Sequence, residues 1–286
     1  MQRRSTIAFL MTLPLIVLIL ALVAYPAGYA IYISMLNRRM TEFIGVGNFE
    51  YLIGRERFWM VVWQTALFAI VAVALKTVIG FAAAHFMNNI PVKRQRKWRG
   101  LLLLPWVIPP AMGTIGWRLL FDPSFSPWNW LLQHVGLGPI GWLSEPGWAR
   151  VSVIWVTVWF GAPFFMVMFL ASLRSVPEEL LQAAAIDGAS WWQRTRYVTL
   201  PLMRNIIAIT MLFSLIGGFA GFTIVSVLTN GGPLGSTTVL ATAAFLLGIG
   251  SGHLPMGAAV SLFIVPPLAL CATVILRRIV RRGSEA

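Results

Sequence analysis

LRSVPEELLQAAAIDGASWWQRTRYVTLPL, Leu173 to Leu202, is a polar, charged island between two long apolar segments. Val151 to Leu173 before it carries no charge. Asn205 to Leu276 after it runs 72 residues without Asp, Glu, Lys or Arg. If these flanks cross a membrane, the island is the one stretch built like a docking surface for something soluble.

The composition supports crossing. Of 286 residues 58% are hydrophobic and 11% charged, and the mean hydropathy is +0.79, which excludes a soluble domain of this length. A bilayer core about 30 Å thick takes roughly 20 apolar residues per helix. Ser5 to Asn37 and Gly100 to Trp117 are uncharged, and Phe58 to Ile90 contains only Lys76. The 72-residue stretch is broken by the turn-forming cluster Thr229-Asn230-Gly231-Gly232-Pro233 and so makes two spans. The expectation is an all-α integral membrane domain over 1–286, with six spans near 7–34, 58–88, 101–121, 151–173, 203–228 and 255–276 and a loop over 175–201. Val239 to Gly250 is short enough for a re-entrant or interfacial helix.

Basic residues set orientation, because loops rich in them stay cytoplasmic. Arg3, Arg4, Lys93, Arg94, Arg96, Lys97, Arg99, Arg174, Arg194, Arg196, Arg204, Arg277, Arg278, Arg281 and Arg282 make 15 on one side. Arg38, Arg39, Arg55, Arg57 and Arg150 make 5 on the other. Both termini and the island are therefore expected in the cytoplasm, with 229–255 outside. The net charge of +13 reads as topology and contact with anionic lipid, and no solvated basic domain exists to bind nucleic acid. Arg3-Arg4 ahead of an apolar run also fits a cleavable signal, but the run is longer than a usual signal core, so a retained first helix is expected. The single cysteine, Cys271, excludes a disulfide framework and a thiolate metal site.

Within the island, Ser175 with Glu178 fits a capping box, and Leu180, Leu181, Ala184 and Ala185 form an apolar stripe at helical spacing. Gly188 stands where the chain must leave the helix in a left-handed conformation. Ser190 with Gln193 offers a second capping box, and Pro201 is expected to stop that helix before the fifth span. The result is an L-shaped knob with a small-residue face, which a plain linker does not need and a helix entering a groove does.

Other features read as packing or chance. Gly217-Gly218-Phe219-Ala220-Gly221 has small-residue spacing that lets helices approach. Lys76 and Arg118 lie toward the ends of their spans and are expected to snorkel to the headgroups. Gly136-Leu137-Gly138-Pro139-Ile140-Gly141 matches a dinucleotide fingerprint without its strand and helix, and no phosphate-binding loop, zinc or serine-hydrolase motif is present. The 13 Trp residues suit interfacial belts. No catalytic, metal or nucleotide site is visible, so the chain is not expected to be an enzyme.

Pro177-Glu-Glu-Leu-Leu-Gln-Ala-Ala-Ala-Ile-Asp-Gly-Ala-Ser190 followed by Val198-Thr-Leu-Pro201 resembles the EAA loop of ABC importer permeases, the coupling helix that enters a cleft on the ATPase subunit. FIGVGNFEY at Phe43 to Tyr51, Leu104-Pro-Trp-Val-Ile-Pro109 and Leu228-Thr-Asn-Gly-Gly-Pro233 are similar to segments of the carbohydrate-uptake branch (maltose and glycerol-phosphate type), on the side of the first of two paired permeases. The resemblance implies coupling through Glu178, Glu179, Gln182, Ala183, Ala184, Asp187, Gly188 and Pro201. Gln182 stands where the family has glutamate, so no salt bridge carries over from it, and Asp187 reads equally as a helix-terminal hydrogen-bonding residue. It also implies a solute passage lined by Gly161, Phe164, Ser214, Gly217 and Gly218. Maltose-type members carry a bulkier polar residue at the position of Gly218, which argues here against a long oligosaccharide.

The resemblance further implies two ATPase subunits that hold ATP and Mg, a second homologous permease, an external solute-binding protein, a sugar, polyol or phosphorylated solute, and a bacterial-type inner membrane. This chain itself needs no cofactor. The competing class is a self-sufficient secondary transporter or channel. Such proteins place several ionisable groups at mid-membrane and often show two related halves, whereas here Lys76 is the only candidate and no internal repeat is visible. A membrane enzyme would need clustered His, Asp or Glu, and only nine acids exist in all.

Overall fold

The computed structural model describes residues 2–283, with side chains described except at 2–8, 92 and 278–283. Arg3, Arg4, Arg278, Arg281 and Arg282 of the charge count therefore lie outside the described side chains. The described chain is helical, with one isolated bridge between Leu36 and Phe43. This is what hydrocarbon dictates, since a helix satisfies every backbone group within its own segment. Five runs are long and apolar enough to cross a membrane: Phe9–Ser34, Glu56–Asn89, Pro146–Arg174, Trp191–Phe219 and Leu254–Arg277.

A sixth apolar stretch is not one straight helix. Lys93–Val107 and Pro110–Leu120 meet at a 92° bend, so the single straight span expected over 101–121 is corrected. The cause is local. Pro109 and Pro110 lack the N–H groups that would continue the ladder, and each disfavours the helical conformation in the residue before it. Ile108 accordingly sits at ψ 131° and Pro109 at ψ 128°.

The fifth span also differs from the expected 203–228. Helix starts at Trp191 and ends at Phe219, and Thr223–Leu228 is a separate short helix after a break. Pro201 does not stop the helix. A π-helical turn over Thr195–Thr199 precedes it, with the Leu200 N–H bonded to the Thr195 carbonyl. The wider turn absorbs the proline that a regular α-turn would reject.

The chain divides into two compact units, residues 1–59 with 243–266 and residues 60–242 with 267–286. In the first, Tyr25–Ser34 packs on Leu254–Leu262, and Gly257 meets Gly248 so closely that a Cβ on Gly257 would lie 2.5 Å from the Gly248 Cα. Asn48 is buried there and donates from Nδ2 to the carbonyls of Ser34 and Leu36, both at 2.8 Å, which pins the loop after the first helix.

The second unit contains the site. From 60 to 89 the buried residues are Val61, Gln64, Thr65, Phe68, Ala69, Ala72, Val73, Lys76, Gly80, Ala84 and Met87, spaced three and four apart as one helix face. Trp63, Ile70, Val78 and Phe86 on other faces are exposed, as lipid contacts should be. Phe68, Trp117, Val153, Val156, Phe160 and Val225 form one core cluster. Val73, Met87, Phe165, Phe169 and Met203 form another.

Gly80 lets the Glu56–Asn89 and Pro146–Arg174 helices touch, because a Cβ there would land on Phe165 Cβ and come within 3.1 Å of the Met166 backbone nitrogen. Gly80→Val is expected to overpack this contact by about 1–3 kcal/mol. Thermal denaturation of the detergent-solubilised protein checks it, with a midpoint that falls relative to wild type.

Candidate functional site

The island folds as two short helices, Glu178–Ile186 and Trp191–Arg194, joined at a glycine. Nine residues are too few to hold a helix in water unaided, so its ends need hydrogen-bond closure. At the first exit the Gly188 N–H bonds the Ala185 carbonyl at 3.1 Å and the Ala189 N–H bonds the Ala184 carbonyl at 2.9 Å, the paired bonds of a Schellman cap. Gly188 has φ +78°, as the sequence required.

The Ser190–Gln193 capping box forms in both directions. Gln193 Oε1 accepts from the Ser190 N–H at 2.7 Å, and Ser190 Oγ accepts from the Gln193 N–H at 3.3 Å. The box expected at Ser175 does not form. Ser175 is the last turn of the preceding helix, and its hydroxyl donates back to the Ser172 carbonyl at 2.8 Å. Pro177 caps the helix instead, without a side-chain bond.

The knob stands proud of the unit that bears it. No residue of Glu178–Ile186 is buried. Of the expected apolar stripe, Leu181 and Ala184 are half-buried, whereas Leu180 and Ala185 are exposed, together with Ile186 (88%), Trp191, Trp192 and Tyr197. Glu178 and Glu179 occupy the first turn, where the helix dipole favours acids, and Gln182 donates to Glu178 Oε1 at 3.3 Å.

Two contacts fix where the knob sits. Arg174, just before it, donates to Gln95 Oε1 at 2.6 Å, and the buried Gln95 donates to the Ile90 carbonyl at 2.8 Å. Trp191 packs edge-on against His85, with ring centroids 5.6 Å apart. Asp187 is the C-cap of the first helix, its N–H bonded to the Ala183 carbonyl at 3.0 Å. Pro201 is exposed in the first turn of Leu200–Phe219.

The second feature is a cavity of about 390 Å³ in the same unit. Gly161, Ser214, Gly217 and Gly218 line it, four of the five positions singled out in the sequence. Phe164 does not. Its ring lies 6.0 Å from that of Trp106 and joins the apolar cluster around Phe165. Thr157 and Thr223 add hydroxyls that sequence reasoning missed.

The glycines do different things. A Cβ on Gly217 would meet nothing within 4 Å, whereas one on Gly218 would sit 3.3 Å from Ala69 Cβ. Gly217 thus keeps the cavity open and Gly218 holds two helices together. Below them the helix ends at Phe219, and Ala220 to Phe222 break it within the cavity wall. Such irregular backbone is tolerated at membrane depth where it lines a cavity.

Lys76 overturns its expectation. It does not snorkel; it is 7% exposed, lines the cavity and donates from Nζ to Ser214 Oγ at 3.3 Å. Helical phase was the missed signal, since Lys76 shares the face of Ala69, Ala72, Val73 and Gly80. Arg118 behaves differently, reaching the Val227 carbonyl at 3.4 Å.

The profile of the family described as "Binding-protein-dependent transport system inner membrane component" matches residues 76–284. The chain is 32% identical over 248 residues to the trehalose/maltose transport system permease protein MalF of Thermococcus litoralis, covering 85% of this chain and 83% of that one. It is 31% identical over 287 residues to the sulfoquinovosyl glycerol transport system permease protein SmoG of Agrobacterium fabrum, covering 96% and 90%. Its fold is similar to a chain in the crystal structure of a bacterial ABC transporter that imports alginate, with a TM-score of 0.82, 23% identity, and 98% and 96% of the two chains covered.

Gly188→Val is expected to loosen the knob locally, because a β-branched residue in the left-handed region costs about 1–2 kcal/mol. Amide hydrogen exchange over residues 183–193 should accelerate by roughly 5- to 30-fold, while the amides of 146–174 remain unchanged.

Proposed function

The chain belongs to the family of binding-protein-dependent transport system inner membrane components, and on that premise we propose that it is the permease subunit through which a sugar or related polyol passes, with ATP hydrolysed by partner subunits. The observation that carries this reading is the placement of the knob. It follows directly on Pro146–Arg174, which bears Gly161, and runs into Trp191–Phe219, which bears Ser214, Gly217 and Gly218. A body that grips the knob therefore pulls on both walls of the cavity.

In this mechanism the exposed residues Leu180, Ile186, Trp191 and Trp192 seat in an apolar groove of an ATPase subunit, and Glu178 and Glu179 contact basic groups at its rim. Closure of two ATPase subunits on ATP carries the knobs with it, and the cavity changes access from outside to inside. The sugar class rests on the permeases this chain is similar to, which are named for trehalose, maltose and sulfoquinovosyl glycerol. An external binding protein delivers the solute. A second permease completes the pathway, and the Phe9–Ser34 helix supports this, since its most apolar window is not buried within this chain at all.

The buried Lys76 is the one observation that favours a self-sufficient secondary transporter. Co-purification separates the two: an ATPase, a second permease and a binding protein should accompany this chain, and their absence from an active preparation would defeat the importer reading. Within the complex, Gly188→Val should reduce ATP-driven uptake at least about tenfold with insertion unchanged, because the knob no longer aims at its groove. Normal uptake in that variant would remove the knob from the mechanism.

The charge partition of the loops supports a topology with both termini, Arg96 and Arg196 in the cytoplasm and Gly232 outside. With Cys271 replaced, a cysteine at 232 should react with an impermeant thiol reagent added to intact cells and one at 196 should not. The reverse pattern would overturn this orientation.

A further inference from the structure

Lys76 is placed where packing alone would not put it. A lysine at the centre of a transmembrane helix costs about 2.5–3.5 kcal/mol on insertion scales, and Leu or Met would fill the same volume without that cost. Its surroundings offer little in return. Among the described residues its hydrogen-bond partner is the neutral Ser214 hydroxyl, at a long 3.3 Å, and no Asp or Glu lines the cavity. An ammonium group has three donors, so most of its bonding capacity is left for whatever occupies the space.

The cavity wall is also cut to admit this side chain. A Cβ on Gly161 would lie 2.5 Å from Lys76 Cε and 2.9 Å from Nζ, so glycine at 161 is what allows the lysine to extend along the wall. Gly217 beyond it leaves open space. A cation held at the edge of a cavity, with donors to spare and no acid beside it, is matched by an anion that arrives and leaves.

We propose that Lys76 binds an oxyanion substituent of the transported solute, a carboxylate, sulfonate or phosphate, so that this permease passes acidic sugars or polyols in preference to neutral ones. The proposal rests on the importer reading above and narrows its substrate class. Ser214 positions the ammonium, Gly161 gives it room, and Thr157 and Thr223 supply neutral hydrogen bonds to the rest of the solute. Because the bond is charge-assisted and formed away from bulk water, it discriminates more strongly than a hydroxyl contact would.

The test uses the full complex with its ATPase subunits, second permease and binding protein, reconstituted in vesicles. Uptake is measured for a neutral disaccharide, a hexuronic-acid disaccharide, a sugar phosphate and a sugar sulfonate. Wild type should take up at least one oxyanion-bearing probe in preference to the neutral one. Lys76→Met, which keeps the volume and removes the buried charge, should raise KM for that probe about tenfold or more with unchanged complex yield, and Lys76→Arg should retain the preference. Gly161→Ala should weaken uptake of the same probe by displacing the ammonium.

Preference for the neutral disaccharide, uptake of none of the oxyanion probes, or unchanged uptake in Lys76→Met would each overturn the proposal. So would a yield that falls in step with uptake and recovers when an acid of the second permease is neutralised, since that is the signature of an ion pair between subunits. ATP-driven uptake that favours the neutral sugar over every oxyanion probe would leave the importer reading intact and defeat only the charge assignment. Uptake independent of ATP would defeat the importer reading itself.

Discussion

Hydrocarbon offers no hydrogen bonds, and three departures of this backbone from regular helix show how that deficit is met. At the Ile108–Pro109 bend two of the backbone nitrogens, those of Pro109 and Pro110, carry no N–H that would need a partner. At Thr195–Thr199 the ladder shifts by one residue and the helix goes on through Pro201. At Ala220–Phe222 it opens, and there the exposed backbone lines a cavity. At two of these three places the irregularity serves a bend or a void.

The same deficit governs the side chains. Several hydroxyls in the spans bond the carbonyls of their own helices, as Thr77 does to Val73, Thr157 to Val153 and Thr210 to Ile206. Thr65 goes further. It donates to the Val61 carbonyl at 2.7 Å and accepts from the Leu240 N–H at 2.9 Å, fixing the start of the short helix that follows the Thr229–Pro233 turn. Lys76 cannot be satisfied in this way, because a single hydroxyl does not balance a charge. That contrast separates it from these hydroxyl residues of the spans.

Much of this architecture was legible in the sequence because it rests on local chemistry. Gly188 and the Ser190–Gln193 pair act through bonds a few residues long, so their residue types alone announced the turn and the cap. Ser175 misled because its hydroxyl, expected to accept from the Glu178 N–H, instead donates to the Ser172 carbonyl of the helix that runs to Arg174. Pro201 misled for a related reason, since a proline implies a break only if the preceding turn cannot widen. The 92° bend was written in Pro105, Pro109 and Pro110, but its angle depends on packing that no pattern of prolines encodes. Lys76 was legible and misread: distance along the span suggested a headgroup, whereas helical phase put it beside Ala69, Ala72 and Gly80.

The two halves of the proposed mechanism are joined by a single stretch of helix. Gln193, which closes the knob, and Ser214, which holds Lys76, are both in the Trp191–Phe219 run, 21 residues apart in numbering and so about 30 Å along the axis. A helix of this length is stiff on the scale of a small domain, and the π-turn keeps it continuous where Pro201 would otherwise cut it. On the other side of the knob, Arg174 is tied to Gln95 while Gly161, in the same helix, faces the Lys76 side chain. A force applied at the knob therefore reaches the Lys76–Ser214 contact from one helix and the Lys76–Gly161 contact from the other. The group proposed to face the solute is then the group whose surroundings change most directly when the knob moves, which is what coupling requires.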